Sequence, residues 1–242
     1  MSSSTPARET RIEPISGSNT YKQTVYRTVY RLIQNLDLAP GERLVEQDLS
    51  ERFGVSKTPI REALLLLEKD RLIEMVPHTG ATVSWLSLAD YQQQLFILDA
   101  LELPALQLVG DKATADDFSA WASEIAAIEA AFRDSDLRTY RELVAGLHRQ
   151  MFAVAGYPRL TELIASVQQA LYRYGVLFVD SQEHARGREL EIVVRRLELL
   201  REGAVTGVVE LVQGHHAWML ATARERVARR DPAVMQYLLD GQ

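Results

Sequence analysis

Between residues 19 and 84, apolar stripes of helical period are cut by Gly and Pro at intervals that leave room only for short helices. Val25, Val29, Leu32, Ile33 and Leu36 recur at helical spacing behind Asn19 or Thr20, either of which can cap the helix. LAPGER, Leu38 to Arg43, breaks that helix, with Pro40-Gly41 supplying a turn. A short helix is expected over Val45 to Phe53, ended by Gly54 as a glycine beyond a helix end does. Ser56 or Thr58 caps the next, Pro59 sits in its first turn and Glu62 is available to the cap region. That helix runs through Ile60, Ala63, Leu64, Leu66 and Leu67 to about Lys69. Two extended runs, Leu72 to Val76 and Ala81 to Trp85, then flank Pro77-His78-Thr79-Gly80, a hairpin tip.

This order is that of a winged helix-turn-helix. Beyond Trp85 the strand signal almost vanishes, and Pro and Gly cut out helices at about 88–110, 114–133, 136–155, 158–180, 187–203 and 205–230, with a short piece at 232–239. Stripes such as Leu95, Leu98, Leu101, Ala105 and Leu108 make a helical bundle the natural packing. The expected fold is therefore mostly α: three helices with a two-stranded wing, then an all-α bundle of six to seven helices. The reading divides the chain into a flexible tail at 1–18, a winged helix-turn-helix at 19–84, a linker at 85–89 and the helical domain at 90–242.

A chain of 242 residues with 47% hydrophobic residues has enough material for two cores. It has no cysteine, which excludes disulfide frameworks, thiolate metal sites and thiol nucleophiles. There is no apolar run of the roughly eighteen residues a membrane helix needs and no secretory leader, so a cytoplasmic protein is expected. The net charge of −6 argues against a nucleic-acid partner until it is divided. Residues 1–84 hold 11 Lys+Arg and 11 Asp+Glu, whereas residues 85–242 hold 16 and 22, so the acid sits in the helical part.

Pro40 to Val83, PGERLVEQDLSERFGVSKTPIREALLLLEKDRLIEMVPHTGATV, resembles the DNA-binding domain of the GntR family of bacterial transcription regulators. The helical remainder resembles the FCD effector-binding domain of the FadR subgroup, through LHRQMFAVAGYPRL and LLREGAVTGVVELVQGH. The resemblance implies a homodimeric regulator, a repressor in the family's commoner mode, on a pseudo-palindromic operator and modulated by a small molecule.

In a helix-turn-helix the second helix enters the major groove by its N-terminal end, where side chains reach base edges and free N–H groups meet phosphate. Here Ser56, Lys57, Thr58 and Arg61 occupy that end, Lys57 and Arg61 four apart on one face. Family members commonly carry an Arg that reads guanine where this chain has Lys57, so weaker base discrimination is expected at that contact, and they often place an Arg on the DNA backbone where this chain has the less charged Gln47. Arg43 and the wing tip, His78, Thr79 and Gly80, complete the expected DNA-binding set.

Many FCD domains hold a divalent metal with an Asp four residues before a His, a His on a later helix and a His on the last long one. Aligning this chain gives His148 and His215, but Val144 stands where the Asp is expected and Val193 near the intermediate His. No metal or other cofactor is therefore expected, His148 and His215 being the residual candidates; His216 and His184 are substitutes in principle, His184 in what reads as an exposed connection. Leu98 stands where the family often has an Arg, so a pocket cation is also absent from its usual place. The expected pocket, around Leu98, Tyr140, Arg141, Val144, His148, Tyr172, Val193 and His215, is drier than a metal site, with Tyr174 a further polar group. It suits a larger, more apolar effector, or belongs to a domain that no longer senses small acids or metals.

Other classes stay open. His148, Glu142 and Arg141 could be drawn as the acid–base cluster of an all-α enzyme with an appended DNA-binding module, but no nucleophile–base pair accompanies them, and the chain is read as no enzyme. In a third class the N-terminal domain binds a protein.

Overall fold

The computed structural model describes residues 21–77, 80–178 and 183–238. The expected tail at 1–18, the cap at 19 or 20, and His78 and Thr79 lie outside the described residues. The chain forms two compact units, one running to Leu86 and joined by the chain from Gln236, the other spanning Ser87–Met235.

The first unit contains α1 (Tyr21–Gln34), β1 (Arg43–Leu44), α2 (Glu46–Phe53), α3 (Lys57–Lys69), β2 (Ile73–Val76) and β3 (Gly80–Val83). α1 lays Val25, Val29 and Ile33, spaced four apart, against Ile60, Ala63, Leu64 and Leu67 of α3, and all seven are fully buried. Leu36 falls outside the stripe predicted for it: α1 ends at Gln34 and Leu36 turns the chain at φ +60°. Gly54 ends α2 in the left-handed conformation at φ +67°, its N–H on the Ser50 carbonyl, and Ser56 stands at the N-cap of α3. The sheet has three antiparallel strands in the order β1-β3-β2, one more than the expected two. β1 is only two residues long, Arg43 opposite Thr82 and Leu44 opposite Ala81, too short to carry a period. Gly80 makes room for it: at φ +113° it lies so close to the Leu44 carbonyl oxygen that any Cβ would collide. Leu86 forms a parallel bridge with Leu238, its N–H reaching the Tyr237 carbonyl at 3.3 Å.

The second unit contains α4 (Leu88–Lys112), α5 (Ala115–Arg133), α6 (Leu137–Val154), α7 (Pro158–Phe178), α8 (Glu183–Arg201), α9 (Val205–Ala228) and α10 (Pro232–Met235). Short polar residues start the helices: Ser87 Oγ accepts from the Asp90 N–H at 3.0 Å, and Thr114 with Asp117 forms a reciprocal capping box. α8 begins four residues before the expected position, because the helix continues through Gly187; one glycine weakens a helix by roughly 1 kcal/mol without stopping it. The SQEHARGR segment is thus helical from Glu183 onward rather than a connection. α10 stops at Met235, short of the expected 239. α4 packs against α6, α7, α8 and α9, and these five helices surround the site described below. No described helix is long and apolar enough to cross a membrane.

Candidate nucleic-acid interface and ligand cavity

The N-terminal end of α3 is open to solvent. Ser56 uses no side-chain bond to cap the helix, and Lys57, Thr58 and Arg61 are exposed beside it. A groove of about 510 Å³ separates this end from the wing, with Gln47, Lys57 and Arg61 on one side and Val76, Pro77 and Gly80 on the other. Arg43 is exposed on β1. Two of the expected contacts are already engaged. Arg61 Nε and Nη2 donate to the two carboxylate oxygens of Glu46 at 2.9 and 3.0 Å, and this bond raises the guanidinium pKa further. Gln47 Nε2 donates to Glu51 Oε1 at 2.6 Å. Glu46 is the residue that sequence reading missed here, since fifteen positions separate it from its partner.

The second site is a cavity of about 200 Å³ lined by α4, α6, α7, α8 and α9. Leu98, Tyr140, Arg141, Val144, His148, Tyr172, Val193 and His215, chosen from five different helices, all line it. Tyr174 does not. Its hydroxyl donates to Asp90 Oδ2 at 2.8 Å and its ring stacks on Tyr91, so it braces the start of α4. His216 lines the cavity but is committed to Asp99 through Nδ1 at 2.6 Å. Glu142 is exposed and paired with Arg138 at 3.2 Å, so the acid–base cluster sketched with His148 is not assembled.

The expectation of a cavity without its usual cation is corrected by Arg196. From α8 its Nη1 lies 2.8 Å from Glu102 Oε1, and the two residues are only 4% and 1% exposed, so the ion pair is sealed from water. The same Nη1 lies 3.1 Å from His148 Nε2. A guanidinium only donates, so Nε2 must accept and the neutral ring carries its proton on Nδ1. Gln168 places its carboxamide 3.3 Å from Nδ1, and with the amide turned over its oxygen accepts the Nδ1–H hydrogen bond. Burial holds the His148 pKa well below its usual range, and Arg196 lowers it further. Burial likewise pushes His215 down to about 3, with His216 and Arg196 adding to the effect. Glu189 is pushed up to about 7 by burial, against the pull of Arg141. Arg141 also covers the Tyr172 ring, its guanidinium carbon 4.7 Å from the centroid. Arg196, Glu102, Gln168 and Glu189 are polar lining residues outside the eight predicted. Only a heptad-like register of α8, placing Arg196 one turn after Val193, would have pointed to the first of them.

Comparison with known proteins decides the family. The sequence model of bacterial regulatory proteins of the gntR family matches residues 21–83, and that of the FCD domain matches residues 95–218, half of the chain. The chain belongs to the GntR family and carries an FCD domain. This is a family of regulatory proteins, not of enzymes. An uncharacterised helix-turn-helix regulator of Streptomyces ambofaciens is 28% identical over 160 residues, 65% of this chain and 66% of that protein. The transcriptional repressor RspR of Escherichia coli K12 is 37% identical over 94 residues, 39% of this chain and 40% of its own. The matches thus cover between 40% and 66% of these two relatives' lengths. The structure of Escherichia coli McbR/YncC superposes with a TM-score of 0.72 at 20% identity, over 85% of this GntR-family chain and 98% of its own, and so shares the fold. The GntR match falls in the unit that bears the open end of α3, and the FCD match holds every residue lining the cavity except Met219.

Proposed function

We propose that this chain is a transcriptional regulator that reads operator DNA through α3 and senses a small molecule in the helical cavity. The observation that carries the reading is the exposed α3 end, Ser56 to Arg61, facing an open groove beside the wing in a unit whose family is regulatory. The repressor named among its relatives supports negative regulation. A single recognition helix covers too few base pairs for specificity, so the regulator acts as a homodimer on two half-sites. An apolar stripe on α4 supports that assembly: Phe96 is 73% exposed, Ile97 is 42% exposed, and Ala100 and Pro104 follow on the same face. Ligand in the cavity shifts the dimer between DNA-competent and DNA-incompetent states by binding one better than the other. A DNA partner agrees with the cytoplasmic location expected from the sequence.

Gel-shift with the DNA upstream of its own gene, over a salt series, tests this. Specific binding that weakens steeply with salt is expected, and Lys57→Ala should cost about 1–3 kcal/mol of binding. Salt-insensitive or absent binding would remove the reading.

A further inference from the structure

An FCD domain with the complete Asp and His set implies a divalent metal in this cavity, and the residues present do not fit one. Val144 and Val193, lining it at two of the four expected donor positions, have no lone pair to offer. A zinc–nitrogen bond of about 2.0–2.1 Å needs the lone pair of the imidazole. In His148 the Arg196 guanidinium already stands before Nε2 at 3.1 Å, the nitrogen that keeps its lone pair. Among the described residues, no group of three or more His, Asp or Glu converges to hold a metal ion.

We infer that the Arg196 guanidinium supplies permanently the positive charge that a metal supplies in other FCD domains, and that the cavity takes a monocarboxylate with an apolar body without metal. The inference rests on the cavity being the effector site proposed above. Arg196 is almost wholly buried on α8, one turn past Val193, and its known neighbours, Glu102 and His148, both meet Nη1. Its Nε is a buried donor with no acceptor, and His215 Nδ1 is likewise buried without a partner. Buried polar atoms are costly when left unpaired, and a carboxylate oxygen entering the cavity would meet this donor. A planar guanidinium suits a carboxylate in a way a point charge does not. Two guanidiniums, Arg141 and Arg196, and two carboxyl groups, Glu102 and Glu189, line the cavity, and burial keeps Glu189 partly protonated, so no more than one anionic charge is accommodated. Leu95, Leu98, Leu171, Ile192 and Met219 form the rest of the wall, so the ligand's body is apolar, and about 200 Å³ keeps it small. A buried Arg–Glu pair is seldom more stabilising than well-packed apolar residues of the same volume, which makes recognition a better reason for its presence than stability.

The test uses the full chain, stripped with EDTA. Metal content is measured, and calorimetry and thermal melting follow zinc, nickel and manganese chlorides, then benzoate, phenylacetate and hexanoate, each with and without EDTA. The metals are expected to bind without stoichiometry and leave the melting temperature unmoved, while at least one of the carboxylates stabilises the protein equally with EDTA present. Arg196→Met with Glu102→Gln, which removes both charges together and so spares the fold, should weaken that carboxylate ~10-fold or more. Arg196→Lys, which keeps the charge and loses the fork, should weaken it too. Stoichiometric zinc or nickel binding that His148→Ala abolishes would overturn the inference. So would carboxylate binding that needs metal or that persists in the double variant, and so would silence from all three acids. DNA binding, followed in parallel by gel-shift, keeps the regulator reading separate: if it survives while the carboxylate result fails, only this inference falls.

Discussion

The two units present their polar residues in opposite ways. In the first, Lys57, Thr58 and Arg61 stand in solvent on consecutive turns of one helix, over a core to which they contribute nothing. In the second, Arg196, Glu102, His148 and His215 come from four helices and line one cavity, where Arg196 and Glu102 are almost wholly buried. An exposed charge costs little to keep, so a polar face of this kind can be assembled locally. A buried charge must be matched by a partner from elsewhere in the fold. The difference teaches that the first unit can change its contacts one residue at a time, whereas the second can change only by coupled substitutions.

The sharpest way to break this contrast is Arg196→Met alone. It strands Glu102 in the bundle, and chemical denaturation should show a loss of ~3–5 kcal/mol in the helical unit, largely recovered when Glu102→Gln is added. Additive effects of the two changes would mean that the pair is not coupled. Leu64→Ala comes next. Fully buried on α3 in the core it shares with α1, it should cost the first unit about 2–4 kcal/mol and DNA binding with it, while carboxylate binding persists. If gel-shift were unaffected, α3 would not depend on that core.

Changes on the exposed face should be smaller. Arg61→Ala should weaken operator binding by about 1–3 kcal/mol, whereas Glu46→Gln, which releases Arg61 from its fork and removes an acid beside phosphate, should tighten it several-fold. Equal affinity of wild type and Glu46→Gln would show that Arg61 does not face DNA.

The last effect is in pH dependence, and Glu189 and His215 act in opposite senses. Glu189 is raised from 4.5 to about 7, so the folded state holds a proton that the unfolded chain has released, and stability falls as pH rises between those values. His215 is lowered from 6.5 to about 3, so its contribution rises with pH over that window. Glu189→Gln should remove the falling component. Relative to that variant, wild type should lose on the order of 2 kcal/mol between pH 4.5 and 7.5, after allowing for the partial exposure of Glu189. A constant difference across that range would place the Glu189 pKa near its usual value.

The fold was legible where signals are local. The end of α2 at Gly54, the start of α3 after Ser56 and most helix boundaries of the second unit follow from turn residues and caps acting within a few positions. β1 was not legible, because two residues have no period and their strand exists only through pairing with Thr82 and Ala81. α8 was read as starting late because Gly187 mimics a stop signal that tertiary packing overrides. In the cavity, Val144, His148 and His215 could be placed by alignment to a motif. Arg196 could not, since its partner Glu102 is ninety-four positions away and no spacing rule joins them.

The sequence alone set the ends of α3 with its exposed Lys57 and Arg61, and put Val144 and Val193 where the family resemblance leads one to expect metal donors. Those properties live in residue identity and in contacts within a turn or two. Only the tertiary structure decided that Arg61 is tied to Glu46, and that a sealed guanidinium stands against His148 in the cavity. Both depend on side chains that meet across large sequence separations, where the strength of an electrostatic contact is set by distance and by the exclusion of water.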